Sequence, residues 1–253
     1  FSTGGTDLVT RWLALKLGPV LGQQIVPEPR TGAGGNIGHE LVAKAAADGY
    51  TLLMAAPPFV VNPTLYGKVP YDPFRDFSPI MLCAAIPTLL VSHPSVPANN
   101  VQELITHARA NPGKLRYGSS GVGGVINLAT ELFKAQAKVD ILHVPYKGVA
   151  PAVVDLIGGQ IELVIAGISI AMPQVKSGKL KALGITSRTR SPVLPEVRPI
   201  AEQGLPDYES STWYGVFAPA ATPKIVLAKL SSELARGGAA ADVRERFASQ
   251  GGE

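Results

Sequence analysis

Gly118-Ser119-Ser120-Gly121 places two hydroxyls at a turn that follows a β-rich run, the position at which a strand-to-helix elbow offers a serine nucleophile to a substrate. Such a serine needs a base. Of His39, His93, His107 and His143, only His143 stands near an expected strand end beside a candidate loop. His39 and His107 fall in helical patterns and read as surface residues, and His93 precedes Pro94. An α/β serine hydrolase using Ser119 or Ser120 with His143 is therefore one chemistry open to the chain. The elbow pattern G-x-S-x-G itself fails, because Val122 occupies the place of its last glycine.

Other chemistries are less well served. The histidines form no i, i+4 pair and have no cysteine companion, so no metal site is expected. Gly32-Ala33-Gly34-Gly35-Asn36-Ile37 has isoleucine at the sixth position of G-x-G-x-x-G, and no loop carries a Walker A lysine, so no nucleotide cofactor is expected.

Four small loops offer something different: Gly4-Gly5-Thr6-Asp7, Gly32-Ala33-Gly34-Gly35-Asn36, Ser119-Ser120-Gly121-Val122-Gly123-Gly124 and Tyr146-Lys147-Gly148-Val149-Ala150. Three directly follow an expected strand and open an expected helix, and the first does so if a strand precedes Phe1. At such turns unpaired backbone N–H groups and the positive end of the helix dipole point outward together, and glycine lets a ligand come close. An anion is held there without arginine, at the carboxyl edge of a parallel sheet. Glycine serves tight turns and close helix–sheet packing equally well. Lys147 is the one fixed charge inside these loops, and Asp7 reads as a helix cap or a polar ligand group.

The elements that must carry these loops alternate along the chain. Leu8, Val9, Trp12, Leu13, Leu17 and Leu21 mark an amphipathic helix; Gln24-Ile25-Val26 reads as a short strand; Ile37, Leu41, Val42, Ala45 and Ala46 mark a second helix; Thr51 to Met54 reads as a buried strand. The six prolines from Pro57 to Pro79 predict an irregular excursion. Beyond it come strands at Thr88 to Ser92, Arg116 to Ser119, Ile141 to Val144, Ile161 to Ala166 and Ala182 to Thr186. Helices alternate with them: one opened by a capping box at Asn100 to Glu103, one over Asn127 to Gln136, one over Ala150 to Ile157, and a short one ending near Gly178. The Gly237-Gly238-Ala239-Ala240-Ala241 tract reads as a loop between helices. This order predicts an α/β fold with mostly parallel, doubly wound sheets. Ile80 to Ser92 and Glu209 to Phe217 are β-type runs with no helix between their halves. Read as two crossover strands, they divide the chain into a discontinuous lobe, 1–88 with 217–253, and a second lobe, 89–216, hinged around a cleft.

Composition agrees with a folded domain pair. Of 253 residues 46% are hydrophobic and 17% charged, against the low hydrophobicity and strong charge of disordered chains. A net charge of +4 from 23 basic and 19 acidic residues is too dispersed for a nucleic-acid reader. The lone Cys83 excludes an internal disulfide. No apolar run approaches the roughly 20 residues of a membrane-spanning helix. The chain starts at Phe1 in what reads as a turn, which leaves room for a signal peptide and a first strand ahead of it.

The loops, taken in order, resemble the substrate-binding proteins of tripartite tricarboxylate transporters, the Bug-type receptors. The resemblance covers essentially the whole chain and rests on Gly4 to Asp7; Arg30 to Gly38; Asp48-Gly49-Tyr50-Thr51-Leu52-Leu53; Tyr71-Asp72-Pro73; Tyr117 to Gly121; His143-Val144-Pro145-Tyr146-Lys147-Gly148; Gly178 to Leu183; and Trp213-Tyr214-Gly215-Val216-Phe217-Ala218-Pro219. It implies a two-lobed architecture of the type II periplasmic-binding-protein kind and a non-catalytic periplasmic receptor. Such a receptor captures a small organic mono- or dicarboxylate between its lobes and delivers it to membrane transporter subunits. A monomer without cofactor is expected. The resemblance assigns ligand contacts to Gly4, Gly5, Thr6, Asp7, Ala55 and Ala56 of the first lobe and to Ser119, Ser120, Gly121, Gly123, Tyr146, Lys147 and Gly148 of the second. Two departures add Phe59, an apolar wall in Pro57-Pro58-Phe59-Val60-Val61, and Ala166, where some relatives carry an acidic residue. Relatives usually begin with a further strand and end with a further helix, so the chain reads as trimmed at both ends.

Overall fold

The computed structural model describes residues 5–30, 32–239, 245 and 248. The chain divides into two compact units: one takes the described residues up to Ala85 and those from Trp213 through the last helix, and the other runs from Ile86 to Thr212.

In the first unit, α1 (Gly5–Leu21) buries Val9, Leu13 and Leu17, one residue per turn, and packs on α8 (Lys224–Gly238). The helices come close because Gly237 faces Leu17; a Cβ there would lie 3.2 Å from Leu17 Cδ2. Gly237 and Gly238 thus continue a helix where a loop was expected. The sheet of this unit pairs β1 (Leu53–Ala55) antiparallel with β7 (Ser211–Pro219), in the register Leu53 to Phe217 and Ala55 to Gly215, and β7 pairs in turn with β2 (Phe77–Ser92).

Three expectations fail in this unit. Residues 24–26 form no strand; no other strand among the described residues pairs with them, and a strand needs a partner for its N–H and C=O groups. The proline-rich stretch contains a helix, α3 (Pro58–Leu65). Pro58 stands at its first position, where a missing N–H costs nothing and the fixed φ helps. The helix α2 (Asn36–Ala43) turns His39 and Val42 inward and leaves Ile37 and Leu41 exposed, so His39 is a core residue and not a surface one.

The second unit holds a sheet in the order β6-β2-β5-β3-β4, built from the second half of β2 with β3 (Arg116–Ser119), β4 (Leu142–Pro145), β5 (Leu163–Gly167) and β6 (Lys181–Ile185). β5, β3 and β4 are parallel neighbours, and β2 runs antiparallel to β5 and β6. The second half of β2 and β5 are buried on both faces, which is why they read as apolar runs. Leu90, Leu163 and Ile165 join a core with Val101, Leu104, Tyr117, Phe133 and Tyr208; Leu89, Val91, Val164 and Ala166 join another with Ala152, Leu156 and Ile185. Each such Leu, Ile or Val contributes about 1.5–3 kcal/mol on burial. Helices α4 (Val101–Ala110), α5 (Val125–Ala137), α6 (Val149–Ile157) and α7 (Ile168–Lys176) supply the flanking layers. The expected α/β class and the mostly parallel sheet are found here, and β2 and β7 are the two strands that run from one unit into the other.

Candidate functional site

β3, β4 and β5 end at the same edge of the second unit's sheet, and each is followed directly by a helix: α5, α6 and α7. Their N-caps are Gly124, Gly148 and Gly167, and none has a side-chain cap. Helix α4 is different. Asn100 Oδ1 accepts from Glu103 N–H at 2.9 Å while Glu103 Oε2 accepts from Asn99 N–H at 2.8 Å, so its first turn is sealed by its own side chains. Along the carboxyl edge the orphan donors of α5, α6 and α7 stay open, with the positive helix ends beside them.

The glycines at this edge divide into two kinds. A Cβ at Gly121 or Gly167 would meet nothing within 4 Å, and one at Gly148 only Pro151 at 4.0 Å; these positions face free space. Gly118, inside β3, is the opposite case. A Cβ there would lie 2.6 Å from Ile161 Cδ1 and 2.9 Å from Ala152 Cβ, so it lets α6 and its neighbours close on the sheet.

Beneath the 119–124 loop lies a connected polar network. Tyr117 and His143 are paired in register on β3 and β4, and their rings stack with centroids 4.7 Å apart. His143 Nε2 lies 2.7 Å from Ser119 Oγ, which accepts from Gly121 N–H at 3.1 Å. On the covering helix α5, Asn127 Oδ1 accepts from Gly123 N–H at 2.9 Å and Asn127 Nδ2 donates to Tyr117 Oη at 2.7 Å. Tyr117 donates to Glu131 Oε1 at 2.5 Å, which also accepts from Lys134 at 2.8 Å. Burial, then the Glu131 bond, pushes the Tyr117 phenol up; burial raises the Glu131 carboxyl, but the bonds from Lys134 and Tyr117 more than offset this and hold it low. The second loop is tied to the first, since Tyr146 N–H donates to Ser119 O at 3.0 Å.

The expected contacts therefore redistribute. The amides of Gly121 and Gly123 are already bonded, to Ser119 and Asn127, and Ser119 Oγ is buried. Among the described residues, the first helical turns at this edge leave donors without a cap: Val125 and Ile126 on α5, Val149 and Ala150 on α6, and Ile168, Ser169 and Ile170 on α7. Sequence reasoning missed Ser169, whose exposed hydroxyl sits in the first turn of α7; the signal was the single Gly167 closing a β-run. Tyr146 Oη donates to Asp155 at 2.8 Å, within α6, so its hydroxyl is committed there. Ser120 and Lys147 are exposed, and Ala166 is buried at the end of β5.

In the first unit, Gly5, Thr6 and Asp7 form the opening turn of α1, and Asp7 pairs with Arg11 at 2.9 Å instead of capping. Gly4 lies outside the described residues. Ala55 ends β1 and Ala56 leads into α3, where Pro57 and Pro58 bring no N–H and Phe59 N–H is already bonded to Ala56 O at 2.9 Å. Phe59 is not a pocket wall. It is 1% exposed and packed among His39, Tyr71, Phe77 and Phe217. The Gly32–Asn36 loop also proves to be a packing device: Asn62 Nδ2 on α3 donates to Gly34 O at 2.9 Å and to Asn36 Oδ1 at 2.8 Å.

Among the described residues no three His, Cys, Asp or Glu side chains gather to hold a metal ion, and no helix is long and apolar enough to cross a membrane. A surface groove of about 720 Å³ runs along α4 past Asn100, Glu103, His107 and Arg198, but Asn100 and Glu103 cap each other and Arg198 bonds Glu202 O.

Comparison with known proteins places this arrangement. The sequence pattern of the tripartite tricarboxylate transporter family receptor matches residues 9–253. Protein BugT of Bordetella pertussis is 37% identical over 250 residues, covering 98% of this chain and 77% of BugT. A solved R. palustris structure with adipate shares 37% identity at a TM-score of 0.79, covering 100% of this chain and 85% of that one. MatC from Rhodopseudomonas palustris with bound malate shares 33% identity at a TM-score of 0.77, covering 100% and 86%. The half-buried Ser119–His143 pair thus sits in a protein whose relatives bind solutes, and the serine-hydrolase alternative is withdrawn: the chain belongs to the tripartite tricarboxylate transporter receptor family and is a solute-binding receptor, not an enzyme.

Proposed function

We propose that this receptor captures a small organic dicarboxylate in the periplasm and presents it to the membrane subunits of a tripartite tricarboxylate-type transporter. The observation that carries the reading is the row of three helices, α5, α6 and α7, opening without side-chain caps at one sheet edge. Their free amides and dipoles complement a carboxylate, and charge-assisted N–H···O⁻ bonds are about twice as strong as neutral ones. The reading assigns the second-unit contacts to the opening turns of these helices, with Ser120, Lys147 and Ser169 as side-chain partners. Adipate and malate, found in two relatives, support a diacid.

Thermal-shift and calorimetric titrations with adipate, malate, succinate, citrate and a monocarboxylate test it. A ligand that binds only the folded chain raises Tm; at least one diacid is expected to do so, with the monocarboxylate weaker. No shift with any acid overturns the proposal.

A further inference from the structure

Ser119 Oγ is fully buried yet has three polar partners: His143 Nε2 at 2.7 Å, Gly121 N–H at 3.1 Å and Gly121 O at 3.2 Å. A hydroxyl has one proton and two accepting lone pairs. All three contacts are met together when Oγ accepts from Gly121 N–H and from an Nε2–H of His143, and donates to Gly121 O. The other neutral tautomer would take the hydroxyl proton for itself and leave Gly121 O with only the longer bond from Gly124 N–H at 3.3 Å. The pattern of contacts thus favours a proton on Nε2, which is the wrong arrangement for a general base and the right one for a clamp.

A second proton, on Nδ1, breaks none of these bonds. It adds a positive charge one hydrogen bond from the residue that holds Gly121, at the edge where the α5 amides open. The charged groups facing His143 are both on α5: Glu131 favours the imidazolium and Lys134 opposes it, while burial outweighs both and lowers the imidazole pKa. From β3, the neutral Tyr117 ring and Ser119 face it.

We propose that His143 is a positioning residue of the ligand loop: through Ser119 it holds Gly121 and aims the amides that open α5, and its protonation strengthens capture of a carboxylate there. The inference rests on the carboxylate reading above. By linkage, an anion at the loop favours the imidazolium, so binding takes up protons and affinity rises as pH falls.

Calorimetric Kd values for adipate and malate, measured from pH 8 to pH 5.5 in the wild type, His143→Gln and His143→Ala, test this. The ratio of variant to wild-type Kd removes the ligand's own ionisation. His143→Gln keeps an N–H donor toward Ser119 but carries no charge; it should bind within about twofold of wild type at pH 8 and at least threefold more weakly by pH 5.5. His143→Ala, which loses the clamp, should bind at least fivefold more weakly throughout. A flat His143→Gln ratio, or wild-type affinity in His143→Ala, overturns the role of His143 while leaving the receptor reading intact. Should the variants fail to fold, the imidazole NMR titration of the wild type decides: its midpoint must rise on saturation with adipate, and an unchanged midpoint overturns the proposal. If no carboxylate binds the wild type at all, both readings fall together.

Discussion

The hydroxyl of Tyr71 lies 3.0 Å from the carbonyl oxygen of Phe59, the acceptor in α3 that Pro63, having no N–H, cannot serve. The proline inside the helix is thus repaired from outside it, by a residue twelve positions from the orphaned group. The same hydroxyl lies 3.0 Å from His39 Nδ1, and since its proton goes to Phe59 O or, at 3.2 Å, to Asn36 Oδ1, both acceptors, the imidazole donates. Tyr71→Phe should leave a buried carbonyl and a buried N–H unpaired and cost about 2 kcal/mol of unfolding free energy. Pro63→Ala returns an N–H to the helix, so in urea denaturation the double variant should recover part of that loss. Strict additivity of the two changes would refute the link.

His39 supplies a pH dependence of opposite origin to that of a surface histidine. Burial among Phe59 and Tyr71 lowers its pKa from 6.5 to about 4. The unfolded chain therefore binds a proton that the native chain refuses. The resulting stability is complete above pH ~6.5 and is lost as pH falls toward ~4, at up to about 1.4 kcal/mol per pH unit and about 3 kcal/mol in all. Urea midpoints measured between pH 7.5 and 4 should fall in the wild type and fall less steeply in His39→Gln. Parallel curves would show that carboxylates alone drive the acid response.

The second unit was more legible than the first because its elements are locally consistent. Each strand from Arg116 to Thr186 is a short β-prone run that alternates with a helix, and Asn100 to Glu103 announces a helix by its own side chains. The carboxyl-edge loops followed from that alternation. In the first unit, tertiary partners overrule local signals. Pro57 and Pro58 read as breakers, yet they start a helix; His39 reads as solvent-facing until Phe59 and Tyr71, from distant segments, enclose it. The sequence pointed to the loops ahead of α5 and α6, and in the structure the Gly121 and Gly123 amides of the first of these are already bonded. Glycine density marks where backbone comes close, and it does not say which amides Asn127 and Ser119 will claim from across the fold.

Gly118 measures how tightly α6 and its neighbours sit on the sheet. With Ile161 Cδ1 and Ala152 Cβ inside 3 Å of a would-be methyl, Gly118→Ala should force a shift and cost about 1–3 kcal/mol. The Ile161 contact is the end of a flexible side chain, so Ile161→Val in the same background should relieve part of the loss, read again by urea denaturation. Equal stability of Gly118→Ala and wild type would mean the layers have room that the distances deny.

Gly167 separates stability from function. It has φ −58° and ψ 145°, a conformation open to any residue, and a side chain there would enter free space at the head of α7. As an N-cap, aspartate is preferred over glycine by a few tenths of a kcal/mol. Gly167→Asp should therefore fold as well as the wild type or slightly better, with its carboxylate accepting the amides of Ser169 and Ile170. Those are the donors assigned to the ligand, and the added negative charge repels an acid. Binding of adipate or malate should weaken at least 100-fold while Tm of the unliganded protein holds or rises. Gly167→Ala, which adds a methyl without a competing acceptor, should retain most of the affinity. If Gly167→Asp binds diacids as the wild type does, the amides opening α7 are not part of the site.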